Sequence, residues 1–335
     1  MNNILVVNIN WLGDAVFSIP VFKALKHNFP KSRVSCLCVP RVKKVLEFCP
    51  LIDDIIVYDE KGKHRWPWSK WSLIQNLRRQ AFDVAFLLHR SATRAWLVYL
   101  AGISHRVGYS KNKHLLTHPV AFNDIGLHRL DVYLKVLEDY GLEVKDRVCE
   151  LNFNLKDAES LDVLLRAKGI EPEEKIVVLH AGGNWELKRW PPFHFVRLIE
   201  GIYEMFKIKV VLSGSHSDVE YCQSLNQQAH NQAIMVAGET TLGQSLALYH
   251  RAEVMVSSDS GPLHLAHSVG ANVIGIYGPT RPGITGPRGT GKAKILFKDV
   301  GCNKAPCYHL GCLSNICMQT VSVNDVLEAI QTFLR

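Results

Sequence analysis

The residues best suited to chemistry sit just beyond apolar runs. Ser257-Ser258-Asp259-Ser260-Gly261-Pro262-Leu263-His264 passes from a strand-like run through a polar turn into a helix with proline near its first turn. N–H groups at such a helix start attract phosphate, and Asp259 is placed to accept hydrogen bonds from sugar hydroxyls. A structural reading makes Asp259 or Ser260 the N-cap; the two are compatible, because a capped helix start is also an anion site. His264 falls on the first turn, in the core or facing a ligand.

His180-Ala181-Gly182-Gly183 ends another strand on two glycines, with Lys188, Arg189, Trp190 and Pro191 close behind. Exposed backbone N–H groups there cradle a phosphate, and Lys188 and Arg189 then neutralise a departing diphosphate. Near the N-terminus, Asn10-Trp11-Leu12-Gly13-Asp14 follows the first strand. Asp14 is placed either to cap the next helix or to act as a general base. Tyr277-Gly278-Pro279-Thr280-Arg281-Pro282-Gly283 makes a rigid turn beyond a further strand, either a wall of the same pocket or plain loop structure.

Two other stretches stand apart. Between Lys61 and Arg79, tryptophans 66, 68 and 71 alternate with Lys63, Arg65, Lys70 and Arg78. That pattern suits a membrane interface or an amphipathic phosphorylated acceptor; base stacking would use the same residues, and so would a helix with a solvated face. Cys302, Cys307, Cys312 and Cys317 recur with four residues between each pair. They read either as a structural tetrahedral zinc or iron site or as buried, unligated thiols.

Elements must position these groups. Ile4–Val7, Val34–Val39, Ile55–Tyr58 and Val84–Leu88 read as strands, separated by helices over Val16–Asn28, Val42–Phe48 and Leu73–Gln80. Helices over Thr93–Ala101 and His128–Tyr140 complete the first half. The second half repeats the pattern from Lys175 to Tyr277, and an amphipathic helix over Val323–Leu334 ends the chain. Strands alternating with helices predict parallel sheets covered on both faces. The fold class is therefore α/β with two Rossmann-like domains, 1–170 and 171–335, and an active site at the strand ends in a cleft between them.

The 335 residues exceed one ordinary core, and 47% hydrophobic with 21% charged residues is globular composition. No apolar run reaches the roughly 18 residues of a membrane span, and the N-terminus lacks the cationic region of a signal peptide. A cytoplasmic protein is expected, its nine cysteines unbridged. The net charge of +8 suits an anionic partner. Phosphate-type loops at several strand ends argue for an enzyme rather than a nucleic-acid-binding module, so no nucleic acid is expected.

Together, ILVVNINWLGDAVFSIPVFKALKHNFP, HAGGNWELKRWPPFHF, SSDSGPLHLAHSVGANVIGIYGPTRP and the tail CYHLGCLSNICM resemble the ADP-heptose:lipopolysaccharide heptosyltransferase family, in order and spacing over almost the whole chain. The resemblance implies a GT-B fold, an inverting transfer that needs no cofactor for catalysis, and an ADP-heptose donor. It makes Asp14 the general base and puts Lys188 on the donor phosphates, with Gly182, Gly183, Ser260, Gly261 and His264 on the donor side. Asp259 binds sugar hydroxyls, and Asp218 is the nearest match to an acidic residue that approaches the nucleotide, with Glu220 close by. Gly13, His89, Arg90, Arg94 and Arg106 fall to a Kdo–lipid A or heptosylated core acceptor, with peripheral contact at the inner face of the inner membrane. Another nucleotide sugar, or a sugar-nucleotide epimerase of similar architecture, stays open.

Overall fold

The computed structural model describes every residue except 184, 303, 305, 308–311 and 313. It divides into two compact units, Met1–Asn152 and Phe153–Arg335. The first holds strands β1 Asn3–Val7, β2 Arg33–Cys38, β3 Asp54–Val57, β4 Val84–Leu87, β5 His105–Gly108 and β6 His118–Pro119. The second holds β7 Ile176–His180, β8 Lys209–Ser213, β9 Ala233–Met235, β10 Val254–Ser258, β11 Val273–Tyr277 and β12 Ala293–Phe297.

Both sheets are parallel throughout. Their orders are β3-β2-β1-β4-β5-β6 and β12-β11-β10-β7-β8-β9. The central strands are continuous apolar runs, Ile4–Val7 and Ile176–Leu179, with no more than 1% exposure. Helices cover both of their faces, as parallel sheets require. In each unit the chain builds outward from its first strand and then crosses back to the other side of it. That reversal lies between β1 and β4 in one unit and between β7 and β10 in the other. Crevices at such points, beyond the carboxyl ends of the strands, are where ligands of open parallel sheets bind. The register sharpens the placement. Val7 pairs with Leu87 and His180 with Ser257, so in each unit the two site-bearing loops leave the sheet side by side.

Several elements differ from expectation for identifiable reasons. One helix over Val16–Asn28 is two, Leu12–Phe17 and Ile19–Asn28. Pro20 has no N–H for the Val16 carbonyl, and the Ser18 hydroxyl turns back to the Ala15 carbonyl at 2.7 Å. The tryptophan-rich stretch opens the helix Pro67–Arg79, with proline in its first turn. The strand β5, the edge strands β6 and β12 and the helix Leu155–Ala167 carry too little apolar pattern to be read. Only Leu161 and Leu165 of that helix are buried. It belongs to the second unit: Gly243 has no Cβ where one would meet the Asp157 carboxyl group at 2.3 Å, and Gln244 Nε2 donates to Ser160 Oγ at 3.1 Å. The division accordingly falls at 152/153, ahead of the 170/171 boundary expected from the charged turn.

Candidate active site

In the second unit, the loop after β10 carries a carboxylate that gathers its surroundings. Asp259 is 4% exposed. Its Oδ2 takes the Lys188 ammonium at 2.7 Å and the hydroxyls of Thr280 at 2.6 Å and Thr285 at 3.2 Å. Its Oδ1 faces His264 Nε2 at 3.4 Å. Burial alone opposes the charge, but His264 and the Lys188 cation outweigh it and hold the carboxyl well below the usual range. An isolated buried carboxylate costs several kcal/mol, so a site with this many donors is built for an anion that stays ionised. Both of its oxygens are met by side chains of its own unit.

The helix that follows, Gly261–Ser268, has Ser260 at its N-cap with no side-chain capping bond. The Ser260 hydroxyl meets Ser257 Oγ at 3.0 Å. The Leu263 amide donates to the Ser260 carbonyl at 3.2 Å and Pro262 has no N–H, so Gly261 carries the amide that this helix start offers a phosphate.

The glycine turn after β7 is held from below. Gly183 has φ +148°, a conformation that side chains avoid, and a Cβ at Gly182 would lie 2.4 Å from Asp218 Oδ1. Asp218 is buried and closes a capping box, accepting from the Ser215 amide at 2.8 Å and the Ser215 hydroxyl at 2.5 Å. Burial opposes its charge; Ser215 first, then His180 and the Gly183 amide, bring it below its ordinary value. Burial lowers His180 to about 4 despite Asp218, so the ring is neutral near pH 7. Arg189 donates twice to the Gly183 carbonyl, at 2.9 and 2.6 Å, and lies over Tyr221. Lys188 is thus delivered to Asp259, while Arg189 and Asp218 brace the turn.

In the first unit, Gly13 and Asp14 open the helix Leu12–Phe17, with Trp11 at the N-cap and Asp14 in the first turn. Asp14 Oδ1 accepts from the Tyr133 hydroxyl at 2.6 Å. Arg94 is 2% exposed, and it donates to the Asn8 carbonyl at 2.7 Å and to Asn10 Oδ1 at 2.5 Å. It therefore fixes the loop that leads to Asp14. His89 accepts from the Ser91 amide at 3.0 Å, and burial, then Arg94, lower it to about 4. Arg90 is exposed and lies over the Phe122 ring at 4.2 Å. Arg106 stands apart: its guanidinium is taken up by the carbonyls of Leu115, Ile103 and Ser104.

The nine cysteines are free thiols, and those at 36, 38, 49, 149 and 222 are buried. Cys302, Cys307, Cys312 and Cys317 line one cavity of about 70 Å³ with Leu187 and Pro279. The Cys307 amide donates to the Pro279 carbonyl at 2.7 Å. Among the described residues, however, no group of three or more His, Cys, Asp or Glu side chains is arranged to hold a metal. The zinc or iron site expected from the spacing is not shown by these residues.

Sequence reasoning missed Thr280 and Thr285 as partners of Asp259, and Tyr133 as the partner of Asp14. Tyr133 lies inside the helix expected over His128–Tyr140, among apolar residues. A hydroxyl on an otherwise apolar face was the one available signal.

The chain is similar to known proteins over most of its length. A relative from Haemophilus influenzae, lipooligosaccharide heptosyltransferase 2, is 25% identical over 88% of this chain and 88% of its own. The glycosyl transferase family 9 structure from Veillonella parvula has a TM-score of 0.89 at 22% identity, covering 99% of this chain and 97% of that one. Escherichia coli ADP-heptose LPS heptosyltransferase II has a TM-score of 0.80 at 22% identity, over 100% and 98% of the two chains. The fold class expected from sequence, the α/β GT-B type, is the one these structures share. Residues 70–315 match the family model for glycosyltransferase family 9 (heptosyltransferase), and the chain is a member of that enzyme family.

Proposed function

We propose that the chain moves a heptose from ADP-heptose to a Kdo or heptose residue of the lipopolysaccharide inner core, inverting the anomeric centre. The observation that carries this reading is the Lys188–Asp259 pair at the carboxyl edge of β10, directly before a helix start whose N-cap side chain makes no capping bond. Departure of ADP breaks the anomeric C–O bond and leaves the electron pair on the diphosphate. Lys188 and the Gly261 amide meet that charge. Gly182, Gly183, Asp218 and His264 shape the same donor side. In the first unit, Asp14 takes the proton of the acceptor hydroxyl as that oxygen attacks the opposite face of the sugar. His89, Arg90 and the loop braced by Arg94 face acceptor phosphates or carboxylates, whereas Arg106 serves structure. The names of the relatives support the heptosyl group and the core acceptor.

The test is ADP release with ADP-heptose, with and without Kdo₂-lipid A, against UDP- and GDP-sugars. Acceptor-dependent release confined to ADP-heptose is expected. Release from a UDP- or GDP-sugar instead would replace the donor assignment.

The chain works, on this reading, in the cytoplasm at the inner face of the inner membrane. No helix among the described residues is long and apolar enough to cross a membrane. Trp66, Trp68 and Trp71 are each more than half exposed; Trp66 and Trp68 stack at 5.4 Å, and Arg65 lies over Trp66. Lys61 and Lys63 are exposed just ahead. Cations near an anionic bilayer each contribute roughly 1 kcal/mol, so vesicles of phosphatidylglycerol should bind the protein and neutral vesicles should not. The paired change Trp66→Ala and Trp68→Ala is expected to weaken sedimentation with the anionic vesicles at least about tenfold; unchanged sedimentation would remove this surface.

A further inference from the structure

The Asp14 carboxylate is held by a residue far away in sequence. Tyr133, 119 positions later, donates its hydroxyl to Asp14 Oδ1 at 2.6 Å. It comes from the helix Arg129–Glu138, which packs against the helix Leu12–Phe17 that carries Asp14. The two helices are tied a second time where Phe17 meets His128 edge-on at 4.9 Å. Tyr133 is 6% exposed. Burial first, and then the Asp14 charge, push its phenol well above the ordinary value, so it remains a donor. A hydroxyl bonded to a carboxylate at this separation is a charge-assisted bond, roughly twice as strong as a neutral one.

We propose that Tyr133 is a positioning residue for the transfer: its hydroxyl fixes the Asp14 carboxylate in one orientation and favours its ionised form. This rests on the reading of Asp14 as general base. In the transfer step the acceptor proton moves to Asp14, while the Tyr133 proton stays on its own oxygen. Two consequences follow from the bond. The carboxylate loses the freedom to turn away from the acceptor. A donor to the charged form also keeps it charged at lower pH.

Arg129 and His128 share the helix of Tyr133, and Tyr109, whose hydroxyl donates to the Val132 carbonyl at 2.7 Å, acts on it electrostatically. Arg41, from the adjoining helix Pro40–Leu46, lies over Trp11. Lys23, on the helix Ile19–Asn28, is paired with Asp146 and Glu150. His128 Nδ1 accepts from the Leu130 amide at 3.1 Å. All of these are common to the wild type and to a Tyr133 variant, so a difference between the two belongs to the pair itself.

The experiment compares wild type, Tyr133→Phe and Asp14→Asn as full-length proteins, reading kcat/KM for transfer from pH 5 to 9. For Tyr133→Phe the acidic limb should move up by about one pH unit, and the plateau should fall roughly tenfold. The KM for the ADP-sugar, held by the other unit, should stay unchanged. A merely structural Tyr133 would lower thermal stability without moving the limb, and that result overturns the proposal. If Asp14→Asn is inactive while Tyr133→Phe keeps the wild-type limb and plateau, the proposal falls and the base assignment stands. If Asp14→Asn transfers at the wild-type rate, both fall. Should Tyr133→Phe fail to fold, a fluorinated tyrosine at 133, a stronger donor, must shift the limb the opposite way; an unmoved limb there overturns the proposal as well.

Discussion

Asparagine at position 14 is expected to lower kcat by roughly a hundredfold to ten-thousandfold, the range that positioned general bases supply. Asn is close in shape to Asp, and its amide oxygen can still accept from the Tyr133 hydroxyl, so the fold should survive. The other loss is the favourable placement of an acid in the first turn of a helix, about 0.3–1 kcal/mol at most exposed sites. That is small beside the expected effect on rate. ADP affinity should not change, because the loops assigned to the nucleotide are braced within the second unit by Asp218, Arg189 and Asp259. Turnover within tenfold of wild type, with intact ADP binding, would sink the role of Asp14.

Three groups near the two loops keep one charge across the working pH range. His89 and His180 are both lowered to about 4, chiefly by burial, and are neutral from pH 5 upward. Asp259 is held well below its usual range and is ionised throughout the same window. None of these three groups changes charge between pH 5 and 9. An acidic limb inside that window therefore reports on groups outside this set, and Asp14 with Tyr133 is the pair in the first unit assigned to proton transfer.

How much of this was legible depends on how local the signal was. Gly-Gly after β7, Gly-Pro opening a helix after β10, and Gly-Asp after β1 are short-range patterns, and each marked a loop at the carboxyl end of a strand. The two Rossmann-like units followed from the alternation of buried runs and amphipathic helices. The direction of a side chain was not legible, because it is set by partners far away. Asp259 meets Lys188 across 71 residues and Asp14 meets Tyr133 across 119. Arg94 and Arg106 show the same limit. Both are cations after apolar runs, yet Arg94 braces the Asp14 loop while Arg106 serves three carbonyls near Leu115.

The second large effect is expected at Lys188. Methionine there should reduce transfer roughly a hundredfold to a thousandfold, as when one donor to a developing oxyanion is removed. It should also destabilise the fold by about 3 kcal/mol, because Asp259 keeps its buried charge and loses its cation. The sign with pH can be worked out. Asp259 has a folded value below its unfolded one, so its contribution to stability is present above about pH 4 and is lost as pH falls through the folded value. Removing Lys188 lets the folded value rise and shrinks that contribution. The difference in melting temperature between wild type and Lys188→Met should therefore be full at pH 7 and close progressively below pH 4. Asp259→Asn should be about as damaging, since it strands the Lys188 ammonium instead. Making both changes together removes both charges, and the double variant should be more stable than the sum of the two losses allows. Strict additivity in thermal melts, or a stability difference that grows on acidification, would show that the 2.7 Å contact does not carry the coupling assigned to it.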